Sequence, residues 1–439
     1  MQYWGILGPD SLPLKKRRRT LGLEAAVTAF NEKAVPGLGR VWFCKQIFLS
    51  LLGIVVAEKA KEKGSTVKNI AVANAIEALA CWLALKDKER SDPRLRGSTK
   101  LRGYSEEDFS DFKKVQKAGF YVTQPMRMQS VEALRALGLV ESKSARFNDY
   151  RCSKDGIDFI KQVLTNSNKS KNIINKLVSW VCGDKEDVFI INERNKTALV
   201  EILSPLTPIP FEAKSVLKSI LLKNTNDPEQ RRKNALKWLE KIRKDKNLSK
   251  ISWKQKPACI TEEHWKDLRA GALFFALRQE SLEILDAIEL HLGNTNEKKL
   301  DLQEELKDTV LLDRLKTLKE KAEAYKNFYQ DDAVAGEFCA ECLQADKKAV
   351  LKALVKRDGH GLSLKGEEIH PGPLFRSKYN IKNISRQSDF DEYNDEEDRN
   401  QVNETLWSDH ISPRIESLYC LNLDINCSEA RLLDNYLKK

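Results

Sequence analysis

The most apolar segment of the chain, VWFCKQIFLSLLGIVVA, runs from Val41 to Ala57. It contains Lys45 and Gln46, and it is shorter than the ~20 residues that a membrane-spanning helix needs. We therefore predict a buried helix over Val41–Glu62 and no membrane insertion. A second segment, Val67–Leu85, has apolar residues at helical spacing and predicts a second helix. With the helical patterns that follow them, these segments predict a mainly α fold.

The length of the chain, 439 residues, exceeds that of one ordinary domain and predicts several packed helical domains. We divide it into a basic N-terminal arm without regular structure (1–35), an N-terminal helical region (36–104), a domain with two short strands (105–170), a basic helical domain (171–260), an acidic helical domain with a small β-hairpin (261–388), and an acidic linker with a C-terminal segment (389–439). The hairpin is predicted from LSLKGEEIH, with Lys365 and Gly366 at its tip.

The charges of the chain are distributed unevenly. Residues 1–260 contain 49 Lys and Arg against 28 Asp and Glu, whereas residues 261–439 contain 26 against 36. Such an asymmetry favours a basic part that binds polyanions and an acidic part with another task. Phosphate contacts would give the basic part an affinity that depends on salt but not on sequence. The alternative is that the surface has one basic and one acidic region, which join the protein to itself or to a partner subunit.

The cysteines and the N-terminal segment bear on location. Nine cysteines are scattered along the chain, and their number is odd. The basic run Lys15–Arg19 follows the apolar residues of the N-terminus, which is the wrong order for a secretory signal peptide. We therefore predict reduced thiols and a cytoplasmic protein. The basic run is also typical of a nuclear localisation signal, of an arm on a phosphate backbone, or of solvated charge.

The stretch from Ser105 to Leu164 has the most specific pattern. A helix is predicted from the SEED sequence at Ser105 to about Lys117, and another over Thr123–Leu137, stopped by Gly138. Two short strands, LVE and FNDYRC, flank the basic loop SKSAR and precede a helix that Ser153 caps. This order resembles that of the winged helix-turn-helix family.

The resemblance implies a helix offered to a DNA groove and a wing on the DNA backbone. The DNA-contacting positions that it implies on the helix are Gln124, Arg127, Gln129, Ser130 and Arg135, and those on the wing are Lys143 and Arg146. Winged helices also serve as protein-pairing modules, and this role stays open as an alternative.

The densest run of charge lies between Arg231 and Lys256, where eleven basic residues face only Glu240 and Asp245. Leu236, Leu239 and Ile242, with Trp238 beside them, form the expected buried stripe of an amphipathic helix. Its cationic face suits phosphate or an acidic partner. The predicted nucleic-acid contacts here are Arg231, Arg232, Lys237, Lys241, Arg243 and Lys244. A solvated lysine-rich helix is the alternative.

Motifs for catalysis are scarce. The chain has no phosphate-binding loop, no nucleophile elbow and no His-Glu-x-x-His. Cys339 and Cys342 form a C-x-x-C motif, and His360 and His370 follow it at a distance that would allow the four residues to bind zinc. At this helical spacing, however, the pattern favours buried core cysteines. The EAK sequence at 212–214 matches part of a nuclease signature that needs an acid on the strand-like run 187–192. We predict no cofactor.

These features favour a non-catalytic accessory or adaptor subunit. It would hold DNA, or RNA, mainly through phosphates, and would dock a partner protein through its acidic C-terminal region. The composition is also similar to that of accessory proteins of bacterial phage-defence operons, which would place it in an antiviral complex. The alternatives are a scaffold that binds only protein and a metal-dependent nuclease whose site is assembled from scattered residues.

Overall fold

The structure is a computed structural model of the whole chain. The residues described below are 19–85, 92–117, 119–165, 172–184, 193–223, 226–244, 252–295, 298–305, 308–375, 410–426, 433 and 436. Three predicted features lie outside the described residues: the basic run before Arg19, the strand-like run 187–192, and the acidic linker up to residue 409.

The protein is mainly helical, with two small β-sheets. In chain order the helices are α1 (Glu24–Ala34), α2 (Cys44–Glu62), α3 (Asn69–Leu85), α4 (Ser98–Leu101), α5 (Glu106–Ser110), α6 (Phe112–Val115), α7 (Arg127–Ala136), α8 (Lys154–Thr165), α9 (Ile173–Cys182), α10 (Glu193–Leu203), α11 (Phe211–Leu222), α12 (Arg231–Lys244), α13 (Glu262–Asn294), α14 (Leu302–Glu305), α15 (Thr309–Phe328), α16 (Ala333–Cys342), α17 (Lys347–Asp358) and α18 (Pro413–Asn426). None of the described helices is long and apolar enough to cross a membrane.

The chain forms two compact units. Unit 1 comprises residues 1–29 and 272–386, and unit 2 comprises residues 30–271 and 387–439. The division of the chain into six segments stays a prediction from the sequence.

The core of unit 2 is built on α2 and α3, the two apolar segments of the sequence. Every residue from Cys44 to Ala57 is buried, and so is most of α3. The two helices approach closely at Gly53, where an added Cβ would lie 2.5 Å from the Cα of Ala73. Helices α7, α8 and α9 pack around α2. A helix that is apolar on all sides is thereby covered on all sides.

Two local predictions were wrong in their detail. Residues 24–34 form α1 rather than an irregular arm, because the alanine-rich sequence buries Ala26, Phe30 and Ala34 on one face. The single helix predicted from Ser105 to Lys117 is broken into α5 and α6 at Asp111, whose carboxylate accepts a hydrogen bond (2.9 Å) from the backbone N–H of Lys113 and so begins a new helix.

The strands are short and antiparallel. In unit 2, β1 (Val140–Glu141) pairs with β2 (Arg151–Cys152), and a 3₁₀ turn separates the loop from β2. In unit 1, β4 (Leu362–Lys365) and β5 (Glu368–Pro371) pair through a turn at Gly366 and Glu367. A third strand, β3 (Leu300–Asp301), which the sequence did not predict, adds to the free edge of β5.

Unit 1 joins its N-terminal residues to its helices through Arg19. The guanidinium of Arg19 donates hydrogen bonds to Asp358 (2.8 Å) and Glu289 (2.8 Å) and also contacts Asp286. This residue of the predicted basic run therefore has an internal structural role. Helices α15, α16 and α17 each begin at an aspartate, in order Asp308, Asp332 and Asp346, whose carboxylate accepts from the first turn.

The C-terminal helix α18 belongs to the core of unit 2, where it packs on α2, α11 and α12. Its first turn is held by Arg414, which is 6 % exposed. The Arg414 guanidinium donates to the backbone carbonyl of Val35 (3.1 Å), to Glu132 on α7 (2.8 Å) and to Glu32 on α1 (2.5 Å). One side chain thus connects three segments that are far apart in sequence.

Candidate nucleic-acid interface

The N-terminus of α7, the helix that the resemblance offers to DNA, is bound by a buried carboxylate. Glu77 on α3 is 2 % exposed and accepts hydrogen bonds from the backbone N–H of Met126 (2.6 Å), the backbone N–H of Arg127 (3.1 Å) and the hydroxyl of Tyr121 (3.0 Å). Burial raises the pKa of Glu77 above its usual value. The orphan amides that begin a helix are therefore satisfied from inside the protein.

The sides of α7 are covered as well. The hydroxyl of Ser130, which is fully buried, lies 2.7 Å from the hydroxyl of Ser50, and the side-chain carbonyl of Gln129 accepts from the amide of Gln46 (3.1 Å). Arg127 is half-buried, with its guanidinium over the ring of Phe147. Ser130 is therefore unavailable to a ligand in solution, and Gln129 and Arg127 are engaged by internal partners.

The exposed strip of α7 is narrow. It consists mainly of Met128, which is 51 % exposed, and Arg135. Gln124, just before the helix, is also exposed. A helix that reads bases in the major groove uses several side chains of one open face. The packing of α7 does not favour that use, because Met128 and Arg135, near its two ends, are its only residues that are more than partly exposed.

The loop between β1 and β2 presents two cations. Lys143 and Arg146 are exposed, as a wing in contact with a DNA backbone would require. The loop is ordered by serines: the hydroxyl of Ser142 donates to the carbonyl of Ser144 (2.8 Å), and the hydroxyl of Ser144 accepts from the backbone N–H of Arg146 (3.0 Å). The hydroxyl of Tyr150 bonds the carbonyl of Val131 (3.1 Å) and joins the loop to α7.

The first two arginines of α12 are internal. The guanidinium of Arg232, at 0 % exposure, donates to the carbonyls of Leu221 (3.1 Å), Lys223 (2.9 Å) and Pro36 (3.0 Å). Burial lowers the pKa of Arg232.

Arg231 is 8 % exposed and pairs with Asp267 (2.7 Å). The carboxylate of Asp227 accepts from the backbone N–H groups of both arginines and begins the helix. Arg231 and Arg232 thus stabilise the fold, and we remove them from the set of nucleic-acid contacts.

The rest of α12 carries an exposed row of lysines on the side opposite its apolar stripe. Leu236, Leu239, Ile242 and Trp238 are buried, as their spacing indicates. The lysine row consists of Lys233, Lys237, Lys241 and Lys244, spaced by four, four and three residues on one face of the helix. Lys237, Lys241 and Lys244 are exposed, and no described acidic side chain pairs with them.

Two basic residues of α12, Lys233 and Arg243, are less exposed. Lys233 is half-exposed, and its amine donates to the side chain of Gln230 (3.0 Å). It was not among the predicted contacts, although its spacing of four residues from Lys237 places it on the same face. Arg243, which was predicted, is half-buried.

The structure does not gather the candidate zinc ligands. Cys339 and Cys342 are buried, and the thiol of Cys339 donates to the carbonyl of Ala322 (3.1 Å). Burial raises the pKa of Cys342 to about 12. His360 is exposed, and His370 contacts Glu368 (3.0 Å). Within the described ranges, no three His, Cys, Asp or Glu side chains lie together in an arrangement that could hold a metal ion.

A small cavity of unit 2 contains a buried amine. The cavity is lined by Phe43, Lys45, Arg94, Pro205, Leu206, Thr207, Pro208, Ile209 and Asp424. The Lys45 amine donates to the carbonyl of Ile202 (2.6 Å), and Asp424 accepts from the backbone N–H of Cys44 (2.7 Å). Burial lowers the pKa of Lys45 to about 7. Both charged groups are engaged by backbone partners, which is typical of structural roles.

Comparison with known proteins gives no match: no family model, curated protein or solved structure is significantly similar to this chain. The class that the fold defines is therefore a mainly helical protein of two compact units.

Proposed function

We propose that this protein is a non-catalytic accessory subunit that holds a nucleic acid through its phosphates. The observation that carries the proposal is the lysine row of α12. Lys237, Lys241 and Lys244 are exposed, and none forms an ion pair with a described carboxylate. Amines spaced about one helical turn apart form a linear cationic surface, which matches the linear charge of a phosphate backbone.

The charge of the surrounding chain supports this assignment. Residues 30–271 contain 46 Lys and Arg against 29 Asp and Glu. Long-range attraction of a polyanion to such a surface raises the rate of encounter. The nucleic acid would contact unit 2, and a partner protein would dock on the acidic C-terminal region. The likeness to phage-defence accessory proteins suggests an antiviral complex as the setting.

The winged-helix resemblance supports a second contact. The chain order α7, β1, loop, β2, α8 and the antiparallel pairing of β1 with β2 agree with the order that this resemblance predicts and support the proposal. The exposed Lys143 and Arg146 would act as a wing on phosphates, with Arg135 and Gln124 at its side. Because α7 is covered, we propose backbone contact by this module rather than base reading by the helix.

The test is the binding of a labelled oligonucleotide, measured by fluorescence anisotropy at 50 and 200 mM salt. The triple variant K237E/K241E/K244E should bind at least tenfold more weakly, and its plot of log affinity against log salt should be shallower by about one unit per lysine. The matched control is K59E/K68E/K176E, which reverses three exposed lysines of unit 2 outside α12.

Two outcomes of the binding assay would contradict the proposal. One is the absence of binding by the unaltered protein at 50 mM salt, which would favour a scaffold that binds only protein. The other is an equal loss in the two triple variants, because binding would then follow net charge and not the lysine row. Cleavage of the oligonucleotide on addition of Mg²⁺ or Mn²⁺ would instead favour the nuclease alternative.

A further inference from the structure

Phe211, the first residue of α11, is the most exposed of the large apolar side chains of the described residues, with 71 % of its surface accessible. No described aromatic ring contacts it. A single exposed apolar residue is common on protein surfaces and by itself indicates nothing. The position of Phe211 relative to the lysine row is what suggests a role in binding.

Helices α11 and α12 contact each other, and two side-chain contacts indicate that they form an antiparallel pair. At one end, the Arg232 guanidinium bonds the carbonyls of Leu221 and Lys223, so the end of α11 lies at the start of α12. Further along, the Lys218 amine pairs with Glu240 (2.6 Å). The start of α11, with Phe211, therefore points along α12 toward the end that carries Lys244.

Helical periodicity places Phe211 and the lysine row on the same side of this pair. Phe211 precedes Lys218 by seven residues, nearly two helical turns, and so shares its face. Glu240 is three residues from Lys237 and four from Lys244, so these lysines flank it on one face. The Lys218–Glu240 pair is itself partly exposed.

The distance along the pair is short. From the Lys218–Glu240 contact, the helical rise carries Phe211 about 10 Å and Lys244 about 6 Å in the same direction. The ring is therefore offset from the end of the lysine row by only a few ångströms along the helix axes. Nucleotides of one strand are spaced by about 3.4 Å in a duplex and can spread further when single-stranded. A strand whose phosphates lie on the lysines can thus bring a base to the ring.

We propose that Phe211 stacks on an unpaired base of a single-stranded nucleic acid whose phosphates lie along the lysine row. This inference rests on the proposed function. A phenyl ring has no hydrogen-bonding group, so it recognises the face of a base and tolerates any sequence. The bases of a duplex are already stacked on each other, so the ring selects single strands or unpaired ends.

The test compares three probes by fluorescence anisotropy: a single-stranded oligothymidine, the same strand with abasic sites, and the matching duplex. The single strand is measured at two salt concentrations. For the single strand, F211A should lower the affinity by about 5- to 150-fold, as base–aromatic stacking predicts. F211W should retain the affinity. For the duplex and the abasic strand, F211A should behave as the unaltered protein, and the salt slope should not change.

The matched control is V310A, which truncates another exposed apolar side chain (62 %) in unit 1. If the unaltered protein binds the single strand and F211A binds it equally well, stacking is excluded and a protein-binding role remains for this ring. If F211A weakens the abasic strand or the duplex as much, the effect does not come from stacking. If no probe binds the unaltered protein, the proposed function itself fails.

Discussion

Arg232 illustrates how a charged side chain becomes part of a core. Its three hydrogen bonds, to the carbonyls of Leu221, Lys223 and Pro36, join the end of α11 and the segment before α2 to the start of α12. A buried carbonyl that loses its donor keeps its desolvation cost, about 1–3 kcal/mol for each group. Arg232→Met should therefore lower the free energy of unfolding by about 3 kcal/mol or more, measured by urea denaturation.

The matched control is Lys237→Met on the same helix. An exposed lysine has no buried partner to leave unpaired, so its loss should change the free energy of unfolding by no more than about 0.5 kcal/mol. It should nevertheless weaken binding of the oligonucleotide. Equal stability of the two variants would show that Arg232 does not hold these three segments together.

Lys45 should make stability depend on pH in a specific interval. Its pKa is about 7 in the folded protein, chiefly because of burial, and 10.5 is the ordinary value for lysine. Between these values the unfolded chain binds more protons than the folded one, so the contribution of Lys45 to stability rises with pH. Below about pH 7 both states are protonated, and the cost of burying the ammonium is present in full.

The comparison of the unaltered protein with Lys45→Met isolates this effect. From pH 7.5 to pH 9, the free energy of unfolding of the unaltered protein should rise by about 2 kcal/mol relative to the variant. Loss of the hydrogen bond to Ile202 shifts the variant by an amount that does not depend on pH, because the carbonyl does not titrate. A constant difference between the two proteins over this interval would contradict a lowered pKa.

At the level of elements, α8 begins so close to β1 that its third residue has no room for a side chain. A Cβ at Gly156 would overlap the carbonyl of Leu139 and lie 2.8 Å from the Sγ of Cys152. Gly156→Ala should therefore destabilise the protein, by roughly 1–3 kcal/mol, since backbone must shift to relieve the overlap. Gly336→Ala, in α16, meets nothing within 4 Å and should stabilise by up to about 1 kcal/mol.

Thermal unfolding of the two glycine variants is the measurement. A lower Tm for Gly156→Ala and an equal or higher Tm for Gly336→Ala would support the close approach of α8 to β1. If both substitutions had the same sign, the difference in space around the two glycines would not govern their effect.

The sequence was most informative about long periodic helices and least about short elements. The bounds of α2 and α3 agree with the predictions to within three residues, because both helices are continuously apolar and have clear ends. The break at Asp111 and the strand β3 were missed, since each depends on a single local hydrogen bond or on pairing with a distant strand. Short elements carry too few residues for periodicity to distinguish them.

The same limit applies to the candidate site. The periodicity of α12 separates its apolar stripe from its lysine row, but it cannot separate Arg231 and Arg232 from the exposed lysines. Their burial depends on Asp267, Pro36 and the end of α11, which are distant in the sequence. The role that we propose for Phe211 likewise depends on the contact between Lys218 and Glu240, which lie on different helices.

At the scale of the whole chain, unit 2 is completed by its C-terminal residues. Leu418 and Leu421 of α18 are fully buried, and α18 covers α11 and α12 on the side away from solvent. Apolar burial of this kind contributes about 25 cal/mol per Å² and needs no covalent link. When residues 1–386 and 387–439 are produced as two separate chains in one cell, we therefore expect them to co-purify as a complex.

The variants for this experiment test whether the core contact is responsible. Leu418→Asp and Leu421→Asp, which place a charge in the core, should abolish co-purification, whereas Ser417→Asp at a half-exposed position of α18 should preserve it. Arg414→Met should weaken the complex without abolishing it, because Glu32 and Glu132 are partly exposed and can be hydrated when their partner is lost. Co-purification that survives both aspartates would mean that α18 is not held by its apolar face. In that case α18 would not support α12 and its lysine row. Removal of residues 387–439 should then leave binding of the oligonucleotide unchanged.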